Sequence, residues 1–425
     1  MKILLLGGGG REHAMAWKIS ESPFCSRLFI APGNAGTALC GENISLALND
    51  FEAIGDFVRS HEVEMVVAGP EEPLVKGIAD YFADQPGLEK VLFVGPPAKG
   101  AKLEGSKAFA KSFMQRNNIP TAAYRAFTKN ELEEGKAFLR DLAAPYVLKA
   151  DGLAAGKGVV ICNSIDEAEK TLDKMLRDEL FGRASATVVI EEFLSGRELS
   201  VFAITDGKDY KLLPSAKDYK RIGEKNTGPN TGGMGAVSPV PFADKVLMEK
   251  IEQRIIKPTI EGLQKENIPY CGFLFFGLME VKGEPYVIEY NVRLGDPEAE
   301  TILPLVNSDF VSLVVSAAKG ELSKHELSVS SQWSATVILA SGGYPGEFEK
   351  GFKVNNTRDV TSSRLFFAGV KKEGEELKTN GGRVIALNST GDTLEKALTA
   401  TYENARKIDF RGKYFRRDIG KDLLK

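Results

Sequence analysis

Four short apolar runs in the first hundred residues, 3–6, 28–30, 65–68 and 91–94, each lead into a glycine- or proline-bearing turn, with helical patterns between them. Strands that read as continuous apolar runs are buried on both faces, and helical connections between them force a parallel sheet, so this part of the chain predicts a parallel α/β layer. The loops that follow the strands, GGGGREHA (7–14), APGNAGT (31–37), GPEEPL (69–74) and GPP (95–97), then gather on one edge, where open α/β sheets bind ligands.

After a helical stretch, SKAFAKSFMQRNN, the pattern changes to strands separated by glycine-rich loops, which marks a second, larger domain. Strands are expected over 146–150 and 159–162, joined by DGLAAGKG, then a helix whose Ser164 and Glu167 fit a capping box, and a strand over 187–193. From about residue 330 short strands (335–340, 365–370, 383–387) precede a helix over 393–407, a third and smaller domain. The divisions are 1–104, 105–325 and 326–425.

With 43% hydrophobic and 27% charged residues and a net charge of -3, the chain is neither disordered nor a nucleic-acid coat, so any basic site must be local. No apolar run approaches the roughly 18 residues that a membrane span needs, and MKILLLGGGGRE reads as a buried strand rather than a signal peptide. Four scattered cysteines and three scattered histidines suggest neither a disulfide framework nor a zinc site, and point to a cytoplasmic protein.

Four segments can carry chemistry. In GGGGREHA a strand enters a helix through consecutive glycines, which admits a ligand close to the backbone and aims free N–H groups and a positive dipole end at an anion. The final glycine of a GxGxxG fingerprint is Glu12 or His13 here, so a single phosphate fits better than a dinucleotide; the alternative is a tight turn without ligand. KADGLAAGKGV (149–159) is not a Walker motif, because only three residues separate Gly152 from Gly156 and Gly158 follows Lys157. Joining strand to strand, it reads as a flap over phosphates with Lys149 and Lys157 in reach, or as an exposed hairpin tip. Lys107, on the preceding helix, is a third cation or part of a solvated face.

The third segment, PYVIEYNVRLGDPE (285–298), is the most informative. A period of two sets Glu289, Asn291 and Arg293 on one face and Tyr290, Val292 and Leu294 on the other. A carboxylate and an amide oxygen suit a hard Mg²⁺ shared with phosphates, and a guanidinium beside them can hold a carboxylate or a transferring phosphoryl group. A turn at Lys282 and Gly283 sets Glu280 about opposite Val287 on that same face, as an added metal ligand or as a solvated residue. The fourth segment, KDYKRIGEKNTGPNTGGMGA (217–236), combines Asp218, Lys220 and Arg221 with a glycine-rich loop whose N–H groups could form an anion nest, which makes it a mobile substrate loop or a plain connector.

Together these segments resemble the ATP-grasp superfamily and, within it, the phosphoribosylamine–glycine ligase (glycinamide ribonucleotide synthetase) family. The likeness runs through GGGGREHA, GPEEPL, SKAFAK, KADGLAAGKGV, EEFLSGRELS, TGPNTGGMGA, NVRLGDPE and SGGYPG, and so spans essentially the whole chain. It implies an N-terminal parallel α/β domain, a central ATP-grasp domain with a mobile lid at about 120–190, and a small C-terminal α+β domain. It also implies ATP-dependent ligation of glycine to 5-phosphoribosylamine through glycyl phosphate, in purine synthesis, with Mg²⁺ or Mn²⁺. By this resemblance Lys107, Lys149, Gly156, Lys157 and Gly158 hold ATP's phosphates, Glu191, Glu192, Phe193 and Leu194 meet the adenine, and Glu198 meets the ribose. Glu289 and Asn291 ligate the metal. Arg293, with Lys149 and Lys157, serves catalysis and also holds substrate. Gly8, Gly9, Gly10, Arg11, Asp218, Lys220 and Arg221 take phosphoribosylamine. The chain departs from the expected pattern at Lys217 and Tyr219, where glutamine and histidine are expected, and, where acidic residues are expected at Glu224 and Lys225, it departs at Lys225. Small molecules are the expected partners, with no nucleic acid or membrane, and the chain is expected to be a monomer or weak dimer.

Such a site phosphorylates a carboxylate, a poor electrophile, so that an amine can attack it; positioned cations do the work and no side-chain nucleophile is needed. Rival readings keep the same centre with another acid or amine, treat the N-terminal glycines as a nicotinamide site, or make the chain a nucleotide sensor.

Overall fold

The chain, described over residues 1–154 and 158–424 in a computed structural model, begins with the parallel layer that its apolar runs predict. Strands β1 (Lys2–Gly7), β2 (Arg27–Pro32), β3 (Glu42–Asn43), β4 (Met65–Ala68) and β5 (Leu92–Val94) form a sheet of order β3-β2-β1-β4-β5, parallel throughout. Alternate residues of β1 feed two cores. Ile3 and Leu5 pack with Met15 and Ile19 of the helix Gly10–Ser20, and Leu4 and Leu6 with Ile54 and Val58 of the helix Phe51–His61. The strand order reverses between β1 and β4, so the loops after these two strands meet at the switch point.

A second sheet, antiparallel and of order β6-β9-β7-β8, consists of β6 (Tyr124–Thr128), β7 (Tyr146–Ala150), β8 (Val159–Cys162) and β9 (Thr187–Glu192). The helices Leu132–Asp141 and Ile165–Arg177 cover it, burying Phe127, Leu148, Leu172 and Ile190 together. The expected capping box is only half formed. The Ser164 hydroxyl accepts the Glu167 N–H at 3.3 Å, but the Glu167 carboxylate accepts from Asn163, one residue too early, at 2.9 Å.

The remaining strands are β10 (Arg197–Thr205), β11 (Tyr210–Asp218), β12 (Arg221–Gly223), β13 (Thr227–Asn230), β14 (Gly235–Ser238), β15 (Gly272–Val281), β16 (Glu284–Asn291), β17 (Trp333–Ala340), β18 (Arg364–Phe367), β19 (Val370–Glu373), β20 (Glu376–Thr379) and β21 (Arg383–Gly391). Eight of them form one sheet, β16-β15-β10-β11-β14-β17-β21-β18, so hydrogen bonding from β14 to β17 carries it from the central part of the chain into the C-terminal part. The single strand expected over 365–370 is two strands. It breaks at Ala368 and Gly369, because Gly369 packs on Gly381 so closely that a Cβ would lie 2.5 Å from the facing Cα. The helix Leu394–Lys407, capped by Thr393, covers β17 and β21. No helix among the described residues is long and apolar enough to cross a membrane.

Candidate active site

β16 carries the polar face, and a bulge shapes it. Gly277 of β15 pairs with Glu289 while Leu278 pairs with Val287, so Ile288 is the extra residue. Beyond the bulge, Glu289 and Asn291 line a cleft of about 190 Å³, while Tyr290 and Val292 are buried in the apolar core. The same bulge overturns the expectation for Glu280. It stands opposite Pro285, on the other face from Glu289, and its carboxylate accepts from Arg197 Nε at 2.6 Å and the Gly283 N–H at 2.5 Å. Glu280 is therefore a turn and ion-pair residue, not a metal ligand.

Burial pushes Glu289 up, but the charges of Lys220, Lys149, Lys107 and Arg293 hold its carboxyl below the usual range without a hydrogen bond from any of them. The Asn291 Oδ1 accepts from Arg293 Nη2 at 3.1 Å, and its buried Nδ2 has no partner among the described residues. Two hard oxygens, one of them anionic, on one strand face fit a Mg²⁺-type cation. Arg293 is fixed from two directions that the sequence did not reveal: Glu104 at 2.8 Å and Glu71, from GPEEPL, at 3.3 Å. Glu104 also accepts the Val292 N–H at 2.7 Å, which locks the end of β16.

Across the cleft stand the lysines. Lys107 opens the helix Lys107–Arg116 and donates to the Gly152 carbonyl at 3.1 Å. Ser106 caps this helix, its hydroxyl accepting the Phe109 N–H at 3.1 Å, and Asp151 braces the cap, accepting from the Ala108 N–H at 2.7 Å and the Ser106 hydroxyl at 3.1 Å. Lys149 of β7 donates to the Ile288 carbonyl at 3.3 Å. Gly158 lines the cleft, while Gly156 and Lys157 lie outside the described residues. Glu191 is buried between Lys149 and Lys111, the latter one helical turn beyond Lys107 in SKAFAK, a spacing that puts both on one helix face. Glu192 accepts the Ala123 N–H at 2.9 Å; Phe193, ring exposed, and half-buried Leu194 continue toward β10.

Glu198 and Asp218 lie beside Lys220, at 3.9 and 3.8 Å. Glu289 and Glu298 add their charge to the same ammonium, whose pKa is raised first by Asp218. One ammonium thus faces several carboxylates, and burial together with that crowding pushes Asp218 up. Arg221 turns away and donates to the Gly228 carbonyl at 2.8 Å within the β12–β13 hairpin. The expected anion nest is absent from the following loop, because its N–H groups are already taken: Gly232 by the Tyr344 hydroxyl at 3.0 Å, Gly233 by the Thr231 hydroxyl at 2.9 Å, and Met234 by the Tyr219 carbonyl at 2.8 Å. Arg383 also donates to the Gly232 carbonyl at 2.6 Å, so this part of the loop is stitched to the C-terminal strands.

The N-terminal glycine loop reaches the same region, since Arg11 donates to the Leu294 carbonyl at 3.1 Å. Its glycines serve a purpose that the motif did not reveal. Glu12 folds back over the turn and accepts from the Gly9 N–H at 2.7 Å and from Arg11 Nε at 2.6 Å. A Cβ on Gly7, at φ +127°, would lie 2.3 Å from Glu12, and one on Gly8 2.7 Å from the Gly33 carbonyl. The Gly9 N–H and the Nε and Nη1 of Arg11 are therefore engaged within the protein, while Gly10 packs against Glu300.

The chain matches the Phosphoribosylglycinamide synthetase N domain over residues 1–104, its ATP-grasp (A) domain over 105–299 and its C domain over 334–422. It is 44% identical over 424 residues to phosphoribosylamine–glycine ligase of Pasteurella multocida, spanning 99% of this chain and 97% of that one, and 43% identical over the full length of both chains to the enzyme so named in Chlorobaculum tepidum. The crystal structure of phosphoribosylamine–glycine ligase from Thermotoga maritima superposes with a TM-score of 0.86 at 37% identity, covering 98% of this chain and all of that one. A biotin carboxylase domain from Hydrogenobacter thermophilus shares the fold alone, with a TM-score of 0.74 at 17% identity.

Proposed function

The chain belongs to the phosphoribosylglycinamide synthetase family, and from that premise we propose how its side chains carry out the reaction. It is an ATP-dependent ligase that joins glycine to phosphoribosylamine in purine biosynthesis. The observation that carries the assignment of residues is convergence: Lys107, Lys149, Glu289, Asn291 and Arg293, from three separate stretches of chain, line one cleft.

ATP lies with its phosphates between Lys107 and Lys149, joined by Lys157, Gly156 and Gly158, and with its adenine against Glu191 to Leu194 and its ribose at Glu198. Glu289 and Asn291 hold Mg²⁺ or Mn²⁺, which supplies positive charge at the phosphates. Arg293, braced by Glu71 and Glu104, holds the glycine carboxylate in line with the γ-phosphoryl group. Transfer breaks the bond from the γ-phosphorus to the β–γ bridging oxygen, releases ADP and makes glycyl phosphate. The amine of phosphoribosylamine, held on the side of Asp218, Lys220 and the N-terminal loop, attacks the carbonyl carbon. The carbon–oxygen bond to the phosphoryl group breaks, phosphate leaves with that oxygen, and the amine proton passes to water.

Glycine labelled with ¹⁸O in its carboxylate tests this route. One label per turnover is expected in the released phosphate; unlabelled phosphate would exclude an acyl phosphate.

We read the chain as three domains, 1–104, 105–325 with a lid at about 120–190, and 326–425, working in the cytoplasm as a monomer or weak dimer. Four unpaired cysteines suit a reducing compartment, and light scattering of the purified chain measures the oligomeric state.

A further inference from the structure

The end of β11 is gripped from behind by a segment some two hundred residues away in sequence. The chain stays extended past Asp218, with the Tyr219 N–H donating to the Gly235 carbonyl at 3.0 Å and the Thr231 N–H to the Lys220 carbonyl at 2.8 Å. Alternation then turns Asp218 and Lys220 toward Glu289 and Glu198, and Lys217 and Tyr219 the opposite way. On that opposite side one carboxylate takes both. Lys217 Nζ pairs with one oxygen of Asp422, and the Tyr219 hydroxyl donates to the other at 2.5 Å. Burial pushes the Asp422 carboxyl up, but these two donors more than offset it and hold the group below its usual range.

Arg416, fully buried, fixes the next stretch. Its Nη1 donates to the Arg221 carbonyl at 3.0 Å and to Asn226 Oδ1 at 2.9 Å, while Asp418 holds the other side of the guanidinium at 2.9 Å. The guanidinium also stands 5.3 Å from the centre of the Tyr219 ring, and Asp418 accepts the Lys225 N–H at 2.7 Å. Residues 416–422 therefore set the course of the chain on both sides of Lys220 without lining the cleft.

We propose that Asp422 is a positioning residue for the phosphoribosylamine side of the site, acting through Lys217 and Tyr219 on Asp218 and Lys220; this rests on the assignment of Lys220 to that substrate. Without the carboxylate, itself half exposed, the buried Tyr219 and the mostly buried Lys217 lose their shared partner. The strand end must then twist to re-pair them, and with a period of two any twist at Tyr219 swings its neighbours on the cleft side. Lys107, Lys149 and Glu289 sit on other elements and stay in place.

The test is equilibrium binding of the product, glycinamide ribonucleotide, by calorimetry to the wild type, Asp422→Asn, Asp422→Glu, Lys220→Met and the Asp422→Asn/Lys220→Met double variant, with ATP affinity and melting temperature measured in parallel. Asp422→Asn should weaken product binding by about tenfold, leave ATP affinity within about twofold, and be largely restored by glutamate at the same place. In the Lys220→Met background the same change should add nothing, a non-additivity that a general loss of stability would not give. Product binding unchanged in Asp422→Asn, ATP binding weakened equally, or a full additive effect in the double variant overturns the inference while leaving the substrate assignment intact. If Lys220→Met alone is silent, that assignment falls and the inference with it, which the single variant distinguishes from failure of Asp422 alone.

Discussion

The Lys149 ammonium lies 3.0 Å from Glu191, whose other oxygen Lys111 reaches at 2.9 Å, so one buried carboxylate serves two buried cations. The group carries one positive charge too many. On the assignment proposed above that excess is what the phosphates of ATP would neutralise, and burial pushes the Lys111 ammonium down to about 8.

Glu191→Gln keeps the shape and removes the only anion paired with either lysine. The expected loss is about 3 kcal/mol of unfolding free energy at pH 7 in urea titrations, since an uncompensated buried charge remains. Lys111 is protonated more readily in the unfolded chain than in the folded one, so its cost is full below its folded pKa and fades as pH rises above it. The deficit of the variant should therefore narrow between pH 7 and pH 9.

Glu289→Gln should behave in the opposite way. Among the described residues no hydrogen bond holds that carboxylate, so the change breaks no bond of the fold while removing the anionic group assigned above to the metal. Turnover at saturating ATP is expected to fall by about a thousandfold with the melting temperature within roughly 2 °C of wild type. The wild type should gain thermal stability from ATP only when Mg²⁺ or Mn²⁺ is present, and the variant should lose that metal-dependent part.

The parallel layer was readable because its strands are continuous apolar runs ending in glycine, and the polar face of β16 because a strand alternates. Lys111 was readable too, four residues after Lys107. What alternation could not show is the bulge at Ile288, which depends on how β15 and β16 pair and moves Glu280 to the other face. Nor does local sequence pair Arg293 with Glu71 and Glu104, or Tyr219 with Asp422, since each bond joins elements far apart in the chain. The glycine loop shows a packing need that its motif does not reveal. Its first glycines make room for Glu12 and for the Gly33 backbone, which local sequence does not bring to the loop.

Asp151, two residues beyond Lys149, braces the first turn of the helix that starts with Lys107; both lysines are assigned above to ATP's phosphates. Asp151→Ala removes the carboxylate that accepts the Ala108 N–H and the Ser106 hydroxyl, while Ser106 still caps the helix by accepting the Phe109 N–H. Loss of about 1 to 2 kcal/mol of stability is expected from these bonds. Because Lys107 sits on the first turn, the KM for ATP should rise several-fold while the KM for glycine stays close to wild type. Equal rises in both would mean that the helix end does not position the lysine.

Glu300 is fully buried, neither of its oxygens has a hydrogen-bond partner among the described residues, and it packs against the N-terminal glycine loop. Burial and the neighbouring Asp296 charge raise its pKa well above the ordinary carboxylate range, which favours its neutral form in the folded protein. For an acid raised in this way, both states are protonated at low pH and the group costs nothing there. As pH climbs through the ordinary carboxylate range the unfolded chain releases its proton first, and stability falls until the folded group ionises. Glu300→Gln has nearly the same shape and no proton to lose. Its melting temperature should match wild type near pH 4 and exceed it by roughly 2 °C or more at pH 8, with the gap widening between the two. A gap that is constant or closes with rising pH would mean that Glu300 is ionised in the folded state, paired with a cation such as Arg383.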